Sequence, residues 1–189
     1  MPYKLNPNGF LSHPGDYRNL IFYKKAVILY DMTCWFCEHY MDKTKDRTVD
    51  QMVQSARSGK QNIVEGKEDG MTSIEMEIKL INVARGSLAE LREDYEDQLR
   101  CRNLQLWDKT HARYKAMVDY CFATHSVEGF RSYYERWDVE TFCNTAITLI
   151  HQADRGMLNY LGRIEQSFLE NGGIREQMTR SRVRFREQN

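Results

Sequence analysis

The chain has 189 residues, with 27 basic side chains against 27 acidic ones, 41% apolar residues and 29% charged residues. That length suits one well-buried domain, and zero net charge excludes a protein-wide field that would draw in nucleic acid or an anionic membrane. Three prolines in the whole chain favour long helices.

Residues 1–16 hold all three prolines, Gly9 and Gly15 without periodicity, and are expected to form an irregular arm. From Tyr17 the pattern turns helical, with Leu20, Tyr23, Val27, Tyr30, Cys34, Cys37 and Met41 on one seam. Asp42 to Arg47 break that helix, and Thr48 with Gln51 reads as a capping box for a second one. The second seam runs through Val49, Met52 or Val53, Ala56, Gly59 and Ile63, with Gly66 placed as a left-handed stop. A short polar loop, Lys67 to Met71, implies an antiparallel neighbour. Thr72 with Glu75 then caps a third helix reaching about Arg100, with Ile74, Ile78, Ile81, Ala84, Leu88, Leu91, Tyr95 and Leu99 inside.

Asp108 is the expected cap of a helix ending near Phe122, followed by an aromatic connector with Phe130, Tyr133, Tyr134 and Trp137. Asp138 caps the last long helix, whose seam is Val139, Phe142, Ala146, Leu149, Ala153, Met157, Leu161, Ile164 and Phe168, up to the stop at Asn171–Gly172–Gly173. Strand alternation is absent, so the class is all-α.

Glycine inside a helix costs roughly 1 kcal/mol against alanine. Small residues cluster in SARSGKQNIVEG (Ser55–Gly66) and ARGSLAEL (Ala84–Leu91), which implies close approach of the second and third helices. No apolar run approaches the ~18 residues of a membrane span, and the opening MPYKLNPNGF lacks a signal-peptide core. Five cysteines, an odd number, suit reduced thiols, so a cytoplasmic location away from membranes is expected.

Catalytic and metal signals are weak. Cys34 and Cys37 form a CxxC, but both fall on the first seam, where cysteine acts as a small apolar residue. The histidines never reach metal-ligand spacing, and Glu90, Glu93, Asp94, Glu96 and Asp97, interleaved with Arg92 and Arg100, read as a solvated face. No P-loop, nucleophile elbow or dinucleotide fingerprint occurs, so no enzyme, metal or cofactor is expected.

Arginine does cluster: Arg175, Arg180, Arg182, Arg184 and Arg186 fall within the final 16 residues, IREQMTRSRVRFREQN, against two glutamates. Arginine suits bidentate phosphate contact. The other reading is a solvated tail helix docked by Ile174 and Phe185. Arg57 and Lys60 on the second helix complete the candidate nucleic-acid contacts.

The run Gln51–Gly66 with Ser58, Asn62, Ile63, Glu65 and Gly66, the aromatic start Phe22–Tyr23, and GSLAEL at Gly86–Leu91 together resemble the four-helix-bundle family of 23S rRNA intervening-sequence proteins. That family includes the accessory variability determinant of diversity-generating retroelements. The match spans roughly Leu20 to Leu106, and Phe168–Arg182 is similar to the four-helix-bundle suffix extension. The resemblance implies an up-down four-helix bundle over residues 17–171, a basic extension over 172–189, a ring-like homopentamer and no catalytic residues. It also implies nucleic-acid binding beside a reverse transcriptase. The chain departs from that relative in its neutral charge and in an insertion near Phe122–Trp137 that interrupts the last helix.

Ser58, Asn62, Glu65, Gly66, Gly86 and Ser87 are expected to be structural, with Asn62 and Glu65 tying the loop to N–H groups near Ser73. The expected function is a non-enzymatic oligomeric scaffold associated with RNA or DNA, with a reverse transcriptase or another protein as the candidate partner. The alternative is a protein-interaction ring without nucleic acid, in which the arginines meet Asp94 and Glu96 of an adjacent chain.

Overall fold

The structure is a computed structural model that describes residues 16–44, 46–70 and 73–187. These residues are helical throughout their regular elements, with no strand among them. The arm expected over residues 1–16 lies outside the described residues apart from Asp16.

Four long helices enclose the core: α1 (Ile21–Tyr40), α2 (Thr48–Asp69), α3 (Ile74–Cys101) and, past three shorter pieces, α6 (Val139–Asn171). Each packs on two of the others, α1 and α3 both against α2 and α6. Contact registers show that these neighbours run antiparallel. Cys37 Sγ reaches Val49 O while Lys60 lies over the Tyr30 ring. Ser55 bonds Glu90, and Ser58 bonds Ser87. Arg85 meets Asp154, and Glu77 meets Tyr160. Phe22 meets Tyr160, and Phe36 meets Phe142. Among the described residues no helix is long and apolar enough to cross a membrane.

The third seam is as read from Ile81 onward, with Ile81, Ala84, Leu88, Leu91, Tyr95 and Leu99 buried, while Ile74 and Ile78 are half-buried. The first is shifted by one residue. Phe22, Ala26, Leu29, Met32, Thr33, Phe36 and Cys37 face inward, and Tyr23, Val27, Tyr30 and Cys34 are half-buried. α1 is covered by α2, α6 and a further short helix, so its buried surface is wider than one stripe.

The expected stop at Gly66 is also corrected. α2 continues through it to Asp69, and Gly66 is buried mid-helix. A Cβ there would come within 3.2 Å of Leu80 Cβ, and one on Gly59 within 2.7 Å of Leu88 Cδ2. Glycine lets the α2 and α3 backbones approach. Gly86 does not share that role: it is exposed, and an added Cβ would meet nothing within 4 Å.

Caps differ by a residue or two from those expected. Thr48 begins α2 without capping it, and its N–H donates to Asp46 Oδ1 at 2.9 Å. Thr72 lies outside the described residues, and Ser73 is the N-cap of α3, accepting from Met76 N–H. Asp138 caps α6 as expected, through Thr141 N–H at 2.7 Å.

Between α3 and α6 lie α4 (Tyr114–Ala123), α5 (Val127–Arg131) and a 3₁₀ turn, Tyr134–Arg136. Asp108 does not cap α4; it closes a turn with Thr110 N–H and Oγ1. The stretch expected as an insertion, Phe122–Trp137, runs from the end of α4 to the start of α6, and α6 itself is unbroken through 33 residues with α4 packed on it. The aromatic connector mostly closes the core: Phe130 and Tyr134 are buried, Trp137 is half-buried, and of the four only Tyr133 is exposed. Tyr134 and Arg131 both bind Asp31 of α1, which fixes the connector over α1.

Candidate nucleic-acid interface

Beyond Tyr160, α6 leaves the core, and most residues from Gly162 onward are exposed. Gly172 ends it with φ +72°, its N–H bonding Phe168 O at 2.8 Å. The chain then forms α7 (Ile174–Glu187), held at its start by Gln177 Nε2 donating to Gly172 O. α7 packs extensively on no other element.

Arg175, Arg180, Arg182, Arg184 and Arg186 are all exposed on α7. None of Arg175, Arg182, Arg184 and Arg186 has an ion pair among the described residues. Exposed apolar side chains accompany them: Leu169, Met178, Val183 and Phe185. Arg57 and Lys60 sit apart, on α2. Arg57 is exposed, whereas Lys60 is half-buried with Nζ 4.3 Å from the Tyr30 ring centroid. The seven cations therefore do not form one patch. Five of them lie on α7.

The motif residues differ in what they touch. Ser58 Oγ and Ser87 Oγ are 3.0 Å apart across α2 and α3, and Asn62 Nδ2 donates to Ser58 O and Oγ. Glu65 is exposed in mid-helix and does not reach Ser73. The polar tie between these helices is one that residue spacing missed. Glu77 Oε1 accepts from Lys67 Nζ at 2.8 Å and from Tyr160 OH at 2.5 Å, joining α3, α2 and α6. Burial and the neighbouring Glu77 carboxylate push the Tyr160 hydroxyl well above its usual range. The available signal was opposite charges on either side of the α2–α3 turn.

Burial pushes Cys37, Cys121 and Cys143 up to about 12, so their reactive thiolates are suppressed. Among the described residues no group of three or more His, Cys, Asp or Glu side chains could hold a metal ion. Asp94 is an acid held high: burial, then Asp97, Glu90 and Asp46, raise it to about 6. It borders an open acidic groove with Asp50, Glu90 and Glu93. Ser55, which also lines it, donates from Oγ to Glu90 Oε2 at 3.4 Å. Compared with protein-family models, curated proteins and solved structures, the chain matches none.

Proposed function

We propose that this chain is an up-down four-helix bundle acting as a non-enzymatic oligomeric scaffold, which engages nucleic-acid phosphates through α7. The observation that carries the reading is five exposed arginines on a helix that stands off the core. Arg175, Arg182, Arg184 and Arg186 have no ion pair among the described residues, which leaves their guanidinium groups available for bidentate phosphate bonds. Zero net charge limits the contact to that helix, so affinity is modest and strongly salt-dependent. The homopentameric ring and the reverse-transcriptase partner implied by family resemblance belong to the same proposal.

The test is a salt titration of duplex DNA binding by the full chain and by a variant with Arg175, Arg182, Arg184 and Arg186 changed to Gln. Each lost phosphate contact lowers the slope of log K against log salt by about 0.9. An unchanged slope removes α7 from the mechanism.

A second reading rests on the apolar residues of the same segment, with Leu169 76% exposed and Phe185 68% exposed. Such residues suit a protein interface, in which α7 packs on a neighbouring subunit. Light scattering distinguishes the two: Leu169→Ser with Val183→Ser dissociates an oligomer built on this segment and leaves the salt slope of phosphate binding unchanged.

A further inference from the structure

A cavity of about 450 Å³ opens between the start of α1, the length of α4 and the middle of α6. That size falls within the usual range for small-molecule sites. The most buried residue lining it is Lys25, only 2% exposed. Its Nζ donates to Cys121 O at 2.6 Å, a neutral acceptor that uses one of three N–H donors. Lys25 takes part in no ion pair among the described residues, and none of the residues lining the cavity is acidic. Burying an ammonium without a counter-ion is costly.

The rest of the lining is mixed: Tyr114, Thr148 and Gln152 are neutral, and Gln152 Oε1 is buried without a partner among the described residues. His125, His151 and Arg155 stand around Lys25, while Ile21, Val118 and Phe122 supply apolar wall. Ile21 is 54% exposed and Phe122 74% exposed, so the apolar side is open to an occupant. Burial lowers the Lys25 ammonium below the usual lysine value. His125 is lowered too, first by burial and then by the positive charges of Lys25 and Lys24. The Lys25 displacement reports burial, and the His125 displacement reports burial together with the positive charges of Lys25 and Lys24.

We propose that this cavity binds a small amphiphilic monoanion, a carboxylate on an aliphatic or aromatic body, with its head against Lys25 and its body over Ile21, Val118 and Phe122. The head supplies the missing counter-charge, and the body covers the exposed apolar wall. The chain's own α7 is excluded as occupant, because its arginines would meet Lys25 and Arg155 as like charges.

Calorimetric titration of the full chain with octanoate, octan-1-ol and inorganic phosphate tests the assignment. One equivalent of octanoate is expected to bind, ~10-fold or more tighter than octan-1-ol, in line with a hydrogen bond to a charged group. Phosphate, lacking a body, binds more weakly than octanoate. Lys25→Met keeps the stem and removes the buried charge; it is expected to lose the preference for octanoate over octan-1-ol. Phe122→Ser alters an exposed side chain, so folding is retained, and octanoate binding weakens. Circular dichroism melting checks both variants, and the Phe122→Ser titration carries the test if Lys25→Met does not fold. The proposal is overturned if octanoate fails to bind at millimolar concentration, if octan-1-ol or phosphate matches it, or if folded variants bind octanoate as the parent does.

Discussion

Where α1 ends and α6 begins, the core is filled by rings: Trp35 stacks on Phe142 at 5.4 Å between centroids, and Phe36, Tyr40, Tyr134 and Trp137 close around them. Where α2 turns into α3 and α6 leaves the core, rings are fewer. Gly66 and Gly156 let backbones approach, and the Lys67–Glu77–Tyr160 cluster joins three helices. Interlocked apolar groups stabilise wherever shape matches, and they tolerate rearrangement. A half-buried ion pair contributes little net stability over an apolar substitute, yet each partner is costly to remove alone. The ring end therefore supplies most of the stability, and the polar end fixes how three helices meet.

The largest expected effect is at the ring end. Phe142 is fully buried and touches five other aromatic rings. Phe142→Ala should cost about 4 kcal/mol in denaturant unfolding, from lost transfer energy and the remaining cavity. A cost below about 1 kcal/mol would mean that the rings collapse into the space, and the contrast between the ends would disappear.

Next comes the polar end. The Lys67 and Glu77 side chains are 16% and 8% exposed. Glu77→Ala leaves the ammonium without its carboxylate and should cost about 3 kcal/mol. The double variant Lys67→Met with Glu77→Leu should recover most of that loss, because the charge has gone with its partner. If the double variant is as unstable as Glu77→Ala, the cluster stabilises through more than charge pairing.

Glycines give a smaller effect, with opposite signs at two positions. Gly59→Ala places a methyl 2.7 Å from Leu88 Cδ2 in the core and should destabilise by about 1–3 kcal/mol. Gly86→Ala meets open space on a helix and should stabilise by about 1 kcal/mol. Equal effects at both would contradict the close approach of α2 and α3 at Gly59.

These two glycines also mark how far the sequence can be read. Periodicity placed α3 well, because Ile81, Ala84, Leu88, Leu91, Tyr95 and Leu99 form a single stripe against two partners. It misplaced the α1 seam, because α1 is covered on several sides and half-buried positions such as Tyr23 and Val27 imitate a stripe. Small residues suggested a close helix contact, but their spacing could not tell Gly59 from Gly86, since that depends on the rotation of α3. Gly66 looked like a stop because no partner for it was visible along the chain. The basic character of α7 was legible from composition, whereas its standing off the core was not. Lys25 and the Lys67–Glu77–Tyr160 cluster depend on side chains from separate helices converging, and no local pattern carries that information.

The smallest effect sharpens the comparison through pH. Glu77 has a cation beside it, whereas Asp94, adjacent to Tyr95 of the aromatic cluster, is half-buried among Asp97, Glu90 and Asp46. Its folded value is about 6, against about 3.9 in an unfolded chain. The folded protein thus holds this proton more tightly, so the residue's contribution to stability is full below about pH 4 and is lost as pH rises through 6. Asp94→Asn cannot ionise. Its Tm relative to the parent should therefore climb between pH 4 and pH 7 by an amount on the order of 2 °C. Added salt should shrink the gain, because part of it is repulsion between partly exposed carboxylates. A gain independent of pH would mean that Asn improves the site for reasons other than charge. A gain that persisted in molar salt would assign the raised value to burial beside the rings, the first of its causes, and would make the aromatic end the origin of the penalty.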